Sequence, residues 1–165
     1  MTAFAAWLEQ VPWQLFGTFE FSWRVSDQQA DHAFDGYINQ LERDLRSPVT
    51  YIRAEEKVPA SPGSLGIRRH YHALLAARVP LDPTPVAALW QRFGGNGHRG
   101  DSVEVRVYDP SGPAAEYCLK AINSNHGGWK ARNMDFFIDA TGQDVGRNSR
   151  QRRRELRNKA RERQT

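Results

Sequence analysis

Cysteine is almost absent: Cys118 is the only one in 165 residues. A disulfide framework is therefore excluded, and a reducing compartment is the expectation. Long hydrophobic runs are lacking too. No apolar stretch approaches the ~20 residues that cross a bilayer, so no membrane association is expected. The opening MTAFAAWLEQVPW has no basic segment before its apolar residues and carries Glu9, which does not suit a signal peptide. A cytoplasmic location follows as the expectation. The phosphate-loop pattern G-x-x-x-x-G-K-[ST] is missing as well. GGNGHRGD is glycine-rich but lacks the Lys-Ser/Thr pair, and it reads as a connection between strands. No internal repeat is visible.

What is present suits one globular body with an arm. A hydrophobic share of 39% and an aromatic share of 11% are those of an ordinary packed domain, and the length allows a sizeable core. The net charge of +4 conceals an uneven distribution. Residues 147–165 hold nine Lys/Arg against two acids, whereas residues 1–146 hold 14 basic and 17 acidic residues. The arm has one aliphatic side chain larger than alanine, Leu156, so it cannot bury a core face and is expected to be disordered or a solvated helix. Its arginines, Arg152, Arg153 and Arg154 among them, suit a segment that follows phosphates.

Elements can be placed along the body. WQLFGTFEF, residues 13–21, reads as an aromatic strand. In DQQADHAFDGYINQLERDLRS, Ala30, Phe34, Ile38, Leu41 and Leu45 recur at helical spacing, and Asp27 is a candidate N-cap. VTYIRAEE and IRRHYHALLAA read as two strands joined across VPASPGSLG in a long hairpin. PLDPTPVAALWQRFGG reads as a short helix opened near Pro83 or Pro85 and closed by Gly94 and Gly95. SVEVRVYD alternates Val103, Val105 and Val107 with polar residues, the pattern of a half-buried strand. AAEYCLKAIN reads as a helix, and NMDFFID as a last strand or an irregular packed segment. The order β-α-β-β-α-β-α predicts an α+β fold: a ferredoxin-like or RRM-like antiparallel sheet with helices mainly on one face.

Three groups of residues could carry chemistry. His70 and His72 alternate with Tyr71 in RRHYHALLAA, so on a strand both imidazoles face one side. Two imidazoles on one rigid strand can hold a metal between them; a chance pair on a solvated face is the bland alternative. The preceding strand ends in Glu55-Glu56, and pairing as a hairpin brings that end beside the histidines. Alternation lets only one of the two acids share their face. A carboxylate with two imidazoles leaves open coordination positions and suits Mg²⁺ or Mn²⁺ better than a closed zinc site. Tyr117 and Lys120, three apart on the AAEYCLKAIN helix, share a face. A tyrosine beside a lysine is placed as a nucleophile whose developing phenolate meets a cation. The alternative is a core tyrosine and a solvated lysine on an amphipathic helix.

These blocks occur in an order that resembles the HUH endonucleases, specifically the single-tyrosine initiators of rolling-circle replication. FGTFEF is similar to their first motif, His70-Tyr71-His72 to their His-hydrophobic-His metal motif, Glu56 to the upstream acidic ligand, and YCLK to their Y-x-x-K nucleophile motif. The resemblance spans about residues 13–123. It implies a divalent cation held by Glu56, His70 and His72, with Glu55 as the alternate to Glu56. It further implies attack by Tyr117 on a phosphodiester of single-stranded DNA, leaving a 5′-phosphotyrosine link and a free 3′-hydroxyl, with Lys120 stabilising the transition-state charge or orienting the DNA phosphate. Such an enzyme would act at a replication origin in the cytoplasm of a bacterial host. Lacking a phosphate loop, it would depend on the host helicase and polymerase. Arg68, Arg69 and Arg99 join the arm as candidate DNA contacts. The chain departs from the two-tyrosine initiators in having no second tyrosine beside Tyr117, and its next lysine after Lys120 is Lys130. Single-tyrosine HUH transposases are a rival within the superfamily. The rival from another class is a non-catalytic single-stranded nucleic-acid-binding module, in which Phe16, Phe19 and Phe21 would stack bases.

Overall fold

The computed structural model describes residue 8 and residues 10–21, 24–59, 67–94, 103–111 and 128–137. Among the described residues, five strands and two α-helices are formed: β1 (Leu15–Glu20), α1 (Asp27–Leu45), β2 (Val49–Pro59), β3 (Ile67–Ala77), α2 (Pro83–Trp90), β4 (Val103–Val107) and β5 (Trp129–Arg132). A single 3₁₀ turn, Met134–Phe136, follows. The sheet order is β4-β1-β3-β2-β5, with every pairing antiparallel. The first four strands thus adopt the order 4-1-3-2, with one helix after the first strand and one after the third. That is the ferredoxin-like α+β arrangement expected from the sequence, extended by β5 along the free edge of β2.

Local chemistry explains where the elements start and stop. Ser26 caps α1: its hydroxyl accepts from the Gln29 N–H at 3.2 Å, and the Gln29 side chain accepts from the Ser26 N–H at 3.0 Å. This is a capping box, so Asp27 is the first helical residue and not the N-cap expected for it. Arg46 closes the helix in the left-handed region at φ 52°. Asp82 caps α2 by accepting from the Thr84 N–H at 2.9 Å, and Pro83 takes the first position, where its missing N–H costs nothing. Gly94 then approaches the Trp90 indole so closely that a Cβ would lie 2.1 Å from the ring.

The two sheet faces differ. On one, Leu15, Phe19, Tyr51, Tyr71, Ala73 and Leu75 pack under Phe34, Tyr37, Ile38 and Leu41 of α1 and Val86, Leu89 and Trp90 of α2. Each of the larger side chains contributes roughly 2 kcal/mol by burial. The rings meet edge-on, as in Phe19–Trp90 at 5.3 Å and Phe34–Tyr71 at 5.4 Å. The other face is divided. Phe16, Ile52, Leu74 and Ala76 are buried with Leu8, Val11 and Trp13. Past them, on the same face, come Thr18, Glu20, Glu56, His70 and His72.

Several expectations are revised. Phe19 and Phe21 are core residues beneath the helices, and Phe16 is 6% exposed under its own cluster, so none of the three offers a ring for base stacking. β5 arises where the sequence reads as loop, and NMDFFID contributes the 3₁₀ turn instead of a strand. Val103 and Val105 pack on the core, but Val107 at the outer end of the edge strand is 69% exposed. The AAEYCLKAIN helix, most of the GGNGHRGD loop and the 147–165 arm lie outside the described residues.

Candidate functional site

β3 is the central strand and is hydrogen-bonded on both sides. Its register places Glu20 of β1 and Glu56 of β2 opposite His70. Thr18 of β1 and Ala54 of β2 lie opposite His72. Directly paired residues share a face. Two imidazoles, two carboxylates and a hydroxyl therefore project from three adjacent strands on the face opposite α1 and α2.

Glu56 reaches diagonally past the small Ala54, and its Oε2 lies 2.9 Å from His72 Nε2. Thr18 Oγ1 is 3.2 Å from His72 Nδ1. A neutral imidazole has one N–H. Facing a carboxylate, Nε2 carries it and Nδ1 accepts from the threonine hydroxyl. Were a cation held at Nε2, the N–H would sit on Nδ1 and the same hydroxyl would accept it. Thr18 thus holds the ring in either tautomer. The imidazole is further fixed by parallel stacking with Phe16, centroids 6.1 Å apart and planes within 1°. His70 Nε2 lies 3.4 Å from Glu20 Oε1 but is buried without a hydrogen-bond partner.

Among the described residues no three His, Cys, Asp or Glu side chains stand together as a metal-holding group. The four donors form two imidazole–carboxylate pairs on neighbouring rows. His70 Nε2 faces the Glu20 carboxylate at 3.4 Å but is not hydrogen-bonded to it.

The acids and bases of the sequence reading separate by strand parity. Glu56 lies with the histidines. Glu55 turns to the helix side, where Arg69 bonds it and also Asp27. Arg69 is thus engaged on the face opposite the histidines, with its side chain 13% exposed, and is not presented beside them. It lines a cleft at the start of α1 with Asp31, Arg53, Tyr71 and Lys130. Arg53 is the buried charge there, stacked over the Tyr71 ring at 4.0 Å and bonded to Asp31. Burial alone would raise the Asp31 carboxyl, but the Arg53 bond and the charges of Arg53 and Lys130 hold it below its usual value. Burial pushes the Tyr71 hydroxyl up to about 12. Tyr117, Lys120, Arg99, Arg152, Arg153, Arg154 and the Arg68 side chain lie outside the described residues.

Three neighbours of the histidines escaped the sequence reading. Thr18 and Glu20 were legible only as alternate residues of FGTFEF. Trp129 stands in the row Trp129–Ala54–His72–Thr18, 50% exposed. No apolar alternation marks its four-residue strand. Among the described residues no helix is long and apolar enough to cross a membrane. The chain matches no protein-family model, no curated protein and no solved structure.

Proposed function

We propose that the chain nicks and rejoins single-stranded DNA with a tyrosine nucleophile and a divalent cation, Mg²⁺ or Mn²⁺, as HUH endonucleases that start rolling-circle replication do. The observation that carries this reading is the pair His70 and His72 on the central strand of a ferredoxin-like sheet, on the face opposite α1 and α2, with Glu56 bonded to His72. His70, His72 and Glu56 would hold the cation. Bound there, it would polarise the scissile phosphate. Tyr117 supplies the attacking oxygen: a bond forms from its phenolic oxygen to phosphorus, the bond to the 3′ oxygen breaks, and the phenolic proton ends on the released 3′-hydroxyl. Lys120 offsets the charge that develops during transfer. The reverse attack by a 3′-hydroxyl closes the strand. Strand separation and synthesis would fall to a host helicase and polymerase.

On the same face, Trp129 offers an exposed ring. Arg106, stacked over Phe16 at 5.2 Å and with its side chain 53% exposed, offers a cation. A single strand crossing the sheet from β5 to β4 would pass over the histidines between them. With Phe16, Phe19 and Phe21 buried, the non-catalytic reading loses the stacking platform it relied on.

The test is covalent capture. The protein is incubated with a library of labelled single-stranded oligonucleotides and Mn²⁺ and run on a denaturing gel. A slow-migrating labelled adduct is expected from the native chain and none from Tyr117→Phe, which keeps the ring and loses the attacking oxygen. No adduct from the native chain refutes the enzyme. An adduct that survives in Tyr117→Phe moves the nucleophile elsewhere, with Tyr108 the next to substitute.

A further inference from the structure

We infer that the cleft at the start of α1 takes one unpaired guanine base of the single strand and reads its edge. The inference rests on the single-strand reading above and adds a point of sequence preference to it. The cleft holds about 240 Å³, less than the ~300–1,000 Å³ of sites for drug-sized ligands. That is room for one ring system and not for several nucleotides. Trp129 lines it, with an exposed ring, and stands on β5, which has no strand beyond it among the described residues. Because Trp129 also stands in the row of His72, a strand lying over the histidines reaches the cleft by turning over this edge.

Charge selects the class of ligand. Three cations, Arg53, Arg69 and Lys130, stand around the cavity with three carboxylates, Asp27, Asp31 and Glu55. The set is neutral, so neither a phosphate nor a metal ion meets a surplus of opposite charge. A neutral ring with donors and acceptors along one edge does find partners. The buried floor is largely satisfied within itself: Arg53 bonds Asp31, and Arg69 bonds Glu55 and Asp27. The rim keeps capacity. Asp31 accepts from Arg53 and from the Tyr71 hydroxyl through Oδ1, and its side chain is half exposed. Among the described residues its Oδ2 accepts from no donor. Lys130 gives one of its three N–H donors to Asp35 at 2.7 Å and is partly exposed. Guanine offers O6 and N7 to a cation and its N2 amine to a carboxylate. Thymine has no amine to offer, and the amines of adenine and cytosine come without the paired acceptors that lysine takes. Stacking on Trp129 suits any base, so the ring supplies affinity and the rim supplies the choice.

The experiment measures binding of the full chain to short labelled oligothymidylates by fluorescence anisotropy, without divalent cation. One oligonucleotide is all thymine, and the others carry a single central guanine, adenine or cytosine. The readout is the ratio of affinities to the all-thymine strand, which cancels any change in general attraction to DNA. The native chain is expected to prefer the guanine strand at least ~5-fold, the lower end of what one two-point base contact discriminates, and to treat the other three alike. Asp31→Asn keeps an acceptor for Arg53 but turns an amide donor toward the guanine amine, and Lys130→Met keeps the length and removes the donor. Each should bring the ratio close to one. Thermal unfolding identifies which variants are folded, and either folded variant decides. A native chain that binds all four strands equally overturns the inference and leaves single-strand binding intact. A preference that survives in the folded variants overturns it too, since the base would then be read elsewhere. Guanosine monophosphate that displaces the guanine strand at the strand's own dissociation constant would assign the cleft to a free nucleotide instead. If the native chain binds none of the oligonucleotides, the single-strand reading itself fails.

Discussion

Breaking the Arg53–Asp31 pair from its two ends should have unequal consequences. The guanidinium side chain is 6% exposed and the carboxylate side chain 50% exposed. Asp31→Ala leaves a buried cation with only the Tyr71 and Phe34 rings, 4.0 and 5.1 Å from its centre. Removing one partner of a fully buried pair costs ~3–5 kcal/mol. The retained ring contacts return about 1 kcal/mol of that, and water reaching the half-open side reduces it further. The expected loss is about 2–3 kcal/mol, part of it from the Tyr71 hydroxyl, which donates to Asp31 at 3.2 Å. Arg53→Met removes the buried charge, fills most of the volume and leaves Asp31 to be solvated, for an expected loss of about 1 kcal/mol. The double variant should match Arg53→Met and not the sum, because the charge that made Asp31→Ala costly is gone. Urea denaturation of the four proteins gives these differences directly. Thermal midpoints should fall by ~5–10 °C for Asp31→Ala and by ~2–4 °C for Arg53→Met. Equal losses, or a larger loss from Arg53→Met, would refute the reasoning: Asp31 would then not be what keeps the buried cation tolerable. The pair matters for the site because Tyr71, which it anchors, lies between His70 and His72 on β3.

Three further outcomes are expected. Burial raises the hydroxyls of Tyr37, Tyr51 and Tyr71 above their ordinary value, Tyr71 to about 12. Unfolded tyrosines ionise near ~10, so the stability these neutral phenols contribute is complete below that pH and is lost as pH climbs toward 12. Tyrosinate absorbance from these three should therefore appear together with loss of ellipticity, and ionisation of all five tyrosines in a still-folded chain would contradict it. Trp129→Ala should weaken single-stranded DNA binding by ~1–3 kcal/mol, the worth of one stacked base, with little change in thermal midpoint. Native affinity in a fluorescence-anisotropy titration would remove Trp129 from the path of the strand. Deleting residues 147–165 should lower affinity for any single-stranded sequence and flatten the dependence of log K on log salt by ~0.7 for each phosphate that the arm neutralises. An unchanged slope would mean that the arm does not touch phosphate.

The fold was legible because its signals are periodic and local. Ala30, Phe34, Ile38 and Leu41 mark the buried stripe of α1, and the two strands of the hairpin read directly from β-branched and aromatic runs. Tyr37 escaped notice because its burial depends on α2: its hydroxyl donates to the Val86 carbonyl at 3.2 Å, a contact 49 residues away in sequence. β5 escaped for a similar reason, since WKAR becomes a strand only by docking on the free edge of β2. The Ser26 cap is encoded by Ser-x-x-Gln, but Asp27 beside it belongs to the same class of capping residues, so the pattern alone allows either. At the site, parity alone put His70 and His72 on one face, yet it could not choose between Glu55 and Glu56 without the register that pairs Glu56 with His70. Thr18 and Glu20 depend on a second register, that of β1 on β3, which no local pattern encodes.

That division between near and far pairings carries over to the order in which the site can assemble. The Glu56–His72 contact closes a loop of 16 residues, and Thr18–His72 one of 54. The longer closure costs only ~1 kcal/mol more in chain entropy, but it requires β1 to enter between β3 and β4, which pair with it on either side. Local contacts form first as a rule. The hairpin would then present two imidazoles and one carboxylate while the chain is still folding, and the β1 half would arrive last. On the proposed metal-dependent reading, a divalent ion present during refolding would meet His70, His72 and Glu56 in the hairpin before β1 arrives, and by favouring the closed hairpin it would act on the rate of folding as well as on the finished protein.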